Sequence, residues 1–176
     1  MNCRNASAFS IFVTSIVLGA LVQGTNANAQ DGYYGEIGWS PLDVKNEADN
    51  VSHPKAMRLL IGKEFHENLA VEALYMATYN NDSQTGFEAK ATHFGLLLKP
   101  KYAITTDTQA FARIGVTYSN FTASSVGDRK GSELAYGIGL QTSFSKSVYG
   151  QIDYMNYYEK DGQSSKGYTV SIGTRF

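Results

Sequence analysis

Apolar and polar side chains alternate every second residue along most of the chain, which is the pattern of half-buried β-strands. In the segment 33–40, Tyr33, Ile37 and Trp39 share one face, whereas Glu36 and Gly38 share the other. The same alternation predicts seven further strands, at 55–64, 70–79, 93–99, 111–119, 133–141, 151–157 and 167–176. Eight strands of this kind are enough to close into a small barrel.

The connections between these strands alternate in length and character. Four are polar and rich in turn-forming residues, and we expect them to be long loops: 43–54, 80–90, 121–131 and 159–166. Three are short: 65–68, 103–107 and 144–147. Long loops at one end and tight turns at the other predict an antiparallel up-and-down meander, and outer-membrane barrels show this asymmetry.

The start of the sequence has the features of a secretory signal peptide. A basic residue, Arg4, precedes an almost wholly apolar run at 8–22, and a small polar segment then ends in an A-x-A site at Ala29. We therefore expect residues 1–29 to be removed after Ala29, leaving one barrel domain at 30–176. The alternative is a membrane anchor, but the apolar run is shorter than the roughly 18–20 residues that a helical span needs.

Charged residues fall on the strand face opposite the apolar set, apart from Lys63 near a strand end. The alternation alone does not say which face points inward. The interior of an eight-stranded barrel is narrow and has to be filled by side chains, and glycines alternating with charges suit that space. Tyrosines near strand ends suit an interfacial girdle on the outside: Tyr33, Tyr75, Tyr79, Tyr118, Tyr154, Tyr158 and Tyr168. These observations favour a transmembrane barrel, and the alternative is a secreted soluble barrel or sandwich with an apolar interior.

Composition excludes some classes of function. The formal net charge is −1, so nothing suggests a nucleic-acid partner. The single cysteine, Cys3, lies in the predicted signal peptide, so we expect no disulfide or thiol chemistry in the mature domain. The chain has 12 Tyr, 9 Phe and 17 Gly but only 3 Pro, which suits many strands.

Several segments together resemble the N-terminal barrel of OmpA-type outer-membrane proteins and the wider set of small eight-stranded porin-like and opacity-like barrels. They are GEIGWS (35–40), FHENLAVEALY (65–75), LKPKYAITTDTQAFARIGVTY (98–118), GIGLQTSFSKSVYGQIDY (137–154) and the final SIGTRF (171–176). The resemblance implies an all-β, eight-stranded antiparallel transmembrane barrel in the outer membrane, with lipid and lipopolysaccharide as partners. We expect no periplasmic peptidoglycan-binding domain, because the sequence stops at Phe176.

The resemblance also implies an ion-pair network in the lumen. The candidate members are Glu36, Arg58, Glu72, Lys99, Arg113, Glu133, Asp153 and Arg175. By register, Glu72 and Lys99 occupy two central positions of the family network, whereas Gln141 and Gln151 place neutral residues at the other two. We therefore expect Glu72 and Lys99 to pair with each other and the network to fill the lumen, and the alternative is a narrow, porin-like pore.

The last strand ends in mid-alternation on an aromatic residue. Tyr168, Val170, Ile172 and Phe176 lie on one face of it. In this family such a strand resembles the signal that the outer-membrane barrel assembly machinery reads, so we expect these residues to serve that purpose.

Catalysis has little support in the sequence. Some eight-stranded outer-membrane barrels modify lipid A with a serine, a histidine and an acid, and catalysis needs these groups within hydrogen-bond reach. Of the three histidines, His53, His66 and His93, only His93 lies near the outer end of a predicted strand. We find no metal-ligand cluster, phosphate loop or nucleophile elbow. The prediction is a barrel without enzyme activity or cofactor, of structural or surface-interaction role, in which the four polar loops are the candidate contacts for an extracellular ligand.

Overall fold

The computed structural model describes residues 32–45, 51–80, 89–123 and 127–176, so the predicted signal peptide lies outside the described residues. The strands are β1 (Tyr33–Lys45), β2 (Val51–Ser52), β3 (Lys55–His66), β4 (Leu69–Asn80), β5 (Ala89–Ala103), β6 (Thr108–Ala123), β7 (Gly127–Ser143), β8 (Val148–Lys160) and β9 (Gln163–Arg175). In this described part of the chain, no helix has the length and apolar character to cross a membrane.

The strands close into a barrel. From β3 to β9 each strand pairs antiparallel with the next, β1 pairs with β3, and β9 returns to pair with β1. The two residues of β2 pair with Val44 and Lys45, on the same edge of β1 as β3. β2 and β3 therefore share one position, and the predicted eight-stranded antiparallel up-and-down barrel is confirmed.

The large apolar face of the strands points outward. Leu96 and Ile138, for example, are 66% and 70% exposed. The charged side chains Arg58, Glu72 and Arg113 are buried in the lumen. A surface of this kind needs lipid rather than water around it.

Aromatic residues mark both ends of the outer apolar band. Trp39, Tyr79 and Tyr168 are exposed towards the loop end, where the Trp39 indole N–H donates a 3.0 Å hydrogen bond to the Tyr79 hydroxyl. Tyr102 is exposed towards the turn end. Tyr158 does not belong to this girdle, contrary to the sequence prediction, because an irregularity in the β8–β9 pairing between Asn156 and Tyr158 turns its side chain inward.

At the loop end the strands are longer than the sequence predicts. Strand β8 continues to Lys160 and β9 begins at Gln163, so the predicted loop 159–166 is a two-residue turn. Asp161 and Gly162 both have positive φ, 50° and 77°, as a tight type I′ hairpin requires. The predicted loop 121–131 is likewise mostly strand, since β6 ends at Ala123 and β7 begins at Gly127. Within the other two predicted loops, residues 46–50 and 81–88 lie outside the described residues.

The turn end is tied together by backbone hydrogen bonds. The connections there are residues 67–68, 104–107 and 144–147. The Phe176 N–H donates to the Tyr33 carbonyl at 2.9 Å, and the Arg175 N–H donates to the Ser147 carbonyl at 2.8 Å. The first and last strands of the barrel therefore begin and end at the same side.

Candidate functional site

The lumen holds a compact cluster of six buried charges, which we call the charge cluster. Its members come from six different strands because the two-residue period points every second side chain inward. The cluster contains three acids, Glu36, Glu72 and Asp153, and three bases, Arg58, Lys99 and Arg113. These charges balance, as buried ions must to be tolerated.

Arg113 lies at the centre of the charge cluster and contacts all three acids. Its Nε lies 2.5 Å from Glu72 Oε2, and its Nη2 lies 3.1 Å from Glu72 Oε1. The same Nη2 is 3.2 Å from Glu36 Oε2, and Nη1 is 3.0 Å from Asp153 Oδ1. Such bidentate, charge-assisted hydrogen bonds are among the strongest that side chains make.

Arg58 pairs with Asp153, which also contacts Arg113. The two guanidinium Nη atoms donate to the two carboxylate oxygens of Asp153 at 2.7 and 2.5 Å. Further hydrogen bonds run to Ser171 Oγ and to the Tyr157 hydroxyl, both at 3.1 Å. The Nε of Arg58 is buried without a hydrogen-bond partner.

Lys99 completes the charge cluster. Its Nζ lies 3.3 Å from both Glu36 and Glu72, so the expected contact between Lys99 and Glu72 is present. Gln141 and Gln151, the neutral residues at the other two central positions, accept hydrogen bonds from the same Nζ at 3.1 and 3.2 Å. The two glutamines therefore join the network as hydrogen-bond acceptors of Lys99.

Two buried tyrosines that contact the charge cluster escape sequence-based prediction. The Tyr34 hydroxyl donates to Glu72 Oε1 at 2.7 Å, and the Tyr149 hydroxyl donates to Glu36 Oε1 at 2.9 Å. Their rings lie over Gly62 and Gly173, where an added Cβ would come within 2.5 Å of each hydroxyl oxygen. The sequence does contain a signal for them, because Tyr34 is two residues from Glu36 and Tyr149 is two residues from Gln151, which places both on the inner face of their strands.

A second layer fills the lumen towards the loop end, and we call it the aromatic layer. It consists of His93, Phe121, Tyr157 and Tyr158, with ring centroids 4.9 to 5.6 Å apart along the chain of contacts. His93 Nδ1 is 2.7 Å from Ser119 Oγ, and its Nε2 is 3.1 Å from Ser165 Oγ. Both ring nitrogens of His93 therefore have buried hydrogen-bond partners inside the lumen.

Two predicted members of the network lie elsewhere. Glu133 is at the loop end, where its carboxylate lies 3.2 Å from Lys160 Nζ. The pKa of Lys160 is raised, mainly by its hydrogen bond to Glu133 and next by the negative charge of that carboxylate. Arg175 is at the turn end, where it donates to Ser143 Oγ at 3.3 Å and lies 4.7 Å from the centre of the Tyr149 ring.

The final strand presents its apolar residues to the outside. Tyr168, Val170 and Ile172 are all more than half exposed on the outer face. The ring of Phe176 lies against Gly35 of β1, and a Cβ atom added to Gly35 would be 3.8 Å from this ring. The aromatic end of β9 is therefore packed onto the strand that closes the barrel.

Solved structures that this chain resembles include small outer-membrane barrels. Ail, the attachment invasion locus protein of Yersinia pestis, matches with a TM-score of 0.64 and 19% identity, covering 84% of this chain and 100% of Ail. Neisserial surface protein A matches with a TM-score of 0.67 and 11% identity, covering 82% and 97%. The N-terminal β-barrel domain of Pseudomonas aeruginosa OprF matches with a TM-score of 0.59 and 11% identity, covering 80% and 97%.

At these identities the likeness shows the fold alone. One structure of Ail contains the heparin analogue sucrose octasulfate. No curated protein matches the chain. The family model described as outer membrane protein beta-barrel domain matches residues 12–176, which is most of the sequence. The chain therefore belongs to the family of outer-membrane protein β-barrel domains.

Proposed function

We propose that this protein is a closed, non-conducting outer-membrane barrel that supports the envelope and presents its loop end to extracellular ligands. The observation that carries this proposal is the filling of the lumen at two levels. The charge cluster and the aromatic layer follow each other along the axis, and residues of both are fully buried. An ion passing through would have to break several charge-assisted hydrogen bonds and displace packed rings.

Conductance of the purified barrel in a planar lipid bilayer tests this proposal. We expect no stable current steps for the unaltered protein. Replacing Arg113 by Ala opens space beside Glu36 and Glu72 and is the variant most able to create a leak. Steady, uniform current steps from the unaltered protein would contradict the proposal and favour the narrow pore.

We propose a non-catalytic role for His93. A Ser–His pair needs access to its substrate, whereas His93 is fully buried and both of its ring nitrogens contact serine hydroxyls. A lipid A-modifying activity would be visible as a mass change of lipid A extracted from cells that express the protein. We expect no such change, and a change that disappears on His93→Ala would refute this role.

The loop end is the surface that we assign to extracellular ligands. The β8–β9 hairpin reaches this end as a tight two-residue turn, so the part of the surface that this hairpin forms is preorganised. The heparin analogue bound to Ail supports sulfated polysaccharide as the first ligand class to test. Retention of expressing cells on immobilised heparin, compared with cells that carry the empty vector, tests it, and equal retention would contradict it.

Targeting and assembly complete the proposal. Residues 1–29 act as the signal peptide, cleaved after Ala29, and 30–176 form the mature barrel. The outer face of β9 and Phe176 present the signal for the barrel assembly machinery. N-terminal sequencing of the protein from isolated outer membranes tests the cleavage site, and a start at any residue other than Gln30 would contradict it.

A further inference from the structure

A cleft of about 440 Å³ opens at the turn end of the barrel, and we call it the turn-end cleft. It lies where the connection 104–107, the connection 144–147 and the end of β9 come together. The residues that line it are Asp107, Ser143, Phe144, Ser145, Lys146 and Arg175. This volume is within the range of sites that bind small molecules, so the cleft has room for a short peptide.

Hydrogen bonds fix the walls of the turn-end cleft. The Ser143 N–H donates to the Asp107 carbonyl at 2.8 Å, which joins the β5–β6 turn to the end of β7. Ser145 Oγ accepts a hydrogen bond from the Val148 N–H at 3.0 Å, so this hydroxyl stabilises the β7–β8 turn. A ligand therefore meets a preformed site, and little free energy is lost in ordering the protein around it.

The charged side chains of the turn-end cleft do not neutralise one another. Arg175, Lys146 and Asp107 form no ion pair with each other or with another described residue. The acceptors that the described residues offer to the Arg175 guanidinium are neutral, namely Ser143 Oγ at 3.3 Å and the Lys146 carbonyl at 3.4 Å. The Asp107 carboxylate accepts a hydrogen bond from the Thr106 hydroxyl at 3.4 Å. The cleft therefore presents two cations and one anion whose counter-ions a ligand can supply.

The ring of Tyr149 supports the Arg175 guanidinium. The guanidinium carbon lies 4.7 Å from the centre of this ring, and the Tyr149 hydroxyl is itself held by a 2.9 Å hydrogen bond to Glu36. Contact with the face of an aromatic ring orients a guanidinium without using its N–H donors. Arg175 therefore keeps donors for a ligand, in the planar arrangement that binds a carboxylate through two hydrogen bonds.

We propose that the turn-end cleft binds short peptides that carry both a free carboxylate and a free amine. Arg175 binds the carboxylate, Lys146 adds a second positive charge beside it, and Asp107 binds the peptide ammonium. In the proposed outer-membrane location, the turn end faces the periplasm. Such peptides come there from the cell wall, where they end in D-alanine, or from protein breakdown, where they contain L-residues. This site is separate from the proposed loop-end ligand and from the closed lumen.

An NMR titration of the isotope-labelled, folded barrel in detergent micelles tests this proposal. The probes are tri-L-alanine, its N-acetyl form and its C-terminal amide, which carry both charges, the carboxylate alone and the ammonium alone. Shifts of the Ser145 and Lys146 backbone amides give the dissociation constant of each peptide. We expect tri-L-alanine to bind most tightly and the amide most weakly, because the amide lacks the group that Arg175 binds.

Variants assign each charge of the peptide to its partner. Arg175→Gln should weaken the binding of tri-L-alanine by about tenfold or more, as the loss of a hydrogen-bonded carboxylate predicts. Asp107→Asn should weaken it by about two- to fivefold and leave the N-acetyl peptide unaffected. The matched control is Lys63→Gln, which removes a cation that donates to the Tyr33 hydroxyl at the turn end outside the cleft. We expect this control to stay within about twofold of the unaltered protein. Each variant is first shown to be folded by its shifted mobility before boiling.

Several results would overturn the turn-end cleft as a peptide site. One is the absence of amide shifts with all of these peptides up to about 10 mM, where even a millimolar site is mostly occupied. Others are equal binding of tri-L-alanine and its amide, or equal effects of Arg175→Gln and the control. A further probe, L-alanyl-D-alanyl-D-alanine, separates the two sources: tighter binding than tri-L-alanine assigns the site to cell-wall peptides, and weaker binding assigns it to protein fragments. Conductance and retention on heparin report separately on the proposed function, so its failure is distinguishable from failure of this site.

Discussion

Arg113 is the residue whose loss should most disturb the barrel. It contacts Glu36, Glu72 and Asp153, so Arg113→Met leaves three buried acids facing two bases. Removing one partner of a buried ion pair typically costs about 3–5 kcal/mol, because the remaining charge stays buried without compensation. With a denaturant slope of about 2 kcal/mol per molar urea, the unfolding midpoint should fall by roughly 2 M.

Urea unfolding in lipid vesicles measures this effect. Trp39, the only tryptophan, lies half-exposed on the outer face and reports on the loss of the lipid environment by its fluorescence. Mobility on gels before boiling gives an independent measure of the folded fraction. The matched control is Lys160→Gln, which removes a cation from an exposed pair at the loop end, and we expect no measurable shift for it.

A double variant separates the charge from the lost packing. Arg113→Met combined with Glu72→Met restores the balance to two acids and two bases. We expect the double variant to lose less stability than the two single losses together, with a coupling of about 1–3 kcal/mol. A midpoint for Arg113→Met within about 0.5 M of the unaltered protein would refute the reasoning. So would strictly additive losses, because they would mean that the pair does not interact in the folded barrel.

Three other substitutions probe the assembly of the barrel, the close approach of β5 and β6, and the tight β8–β9 hairpin. Phe176→Ala should lower the fraction of heat-modifiable protein in the outer membrane while leaving refolding in detergent unchanged, and an equal loss in both would contradict a role in assembly. Gly115→Ala should destabilise the barrel by about 1–3 kcal/mol, because its Cβ would meet the backbone of Leu97 at 2.8 Å. Gly35→Ala is the control, since its nearest neighbours are 3.8 Å away, and similar urea midpoints for the two variants would contradict the steric explanation. Gly162→Ala should cost about 1 kcal/mol because Gly162 has a φ of 77°, and an unchanged midpoint would contradict this.

The strands could be predicted from local pattern, whereas their ends could not. Alternation over eight segments locates the barrel wall, since lipid outside and a narrow lumen inside impose a two-residue period. The polar segments 159–166 and 121–131 look like loops because they are rich in Gly, Ser and charged residues. The structure extends strands through most of both, because antiparallel partners satisfy the backbone there whatever the side chains are.

The candidate site could be predicted as a set of inward charges but not as a network. Period and resemblance locate Arg58, Glu72 and Arg113 on the inner face, whereas the distances among them depend on strand register around the closed barrel. Glu133 and Arg175 share that inner face but lie too near the two ends to join the charge cluster.

The inner tyrosines show why face assignment needs to be made residue by residue. The predicted girdle includes Tyr158, which points inward. It does not include Tyr34 and Tyr149, which are in phase with the inner charges and donate to Glu72 and Glu36. The Tyr34 hydroxyl donates to the same Glu72 oxygen as Arg113 Nη2. The Tyr149 hydroxyl donates to the same Glu36 oxygen as Lys99 Nζ. The network that fills the lumen therefore contains neutral donors as well as ion pairs. On this basis, Tyr34→Phe should weaken the barrel without changing any charge, by about 1–3 kcal/mol for a lost hydrogen bond to a buried carboxylate. Urea unfolding beside Tyr33→Phe, which alters an exposed tyrosine on the outer face, measures this loss. Equal midpoints for the two variants would contradict a contribution of the Tyr34 hydroxyl to the stability of the barrel.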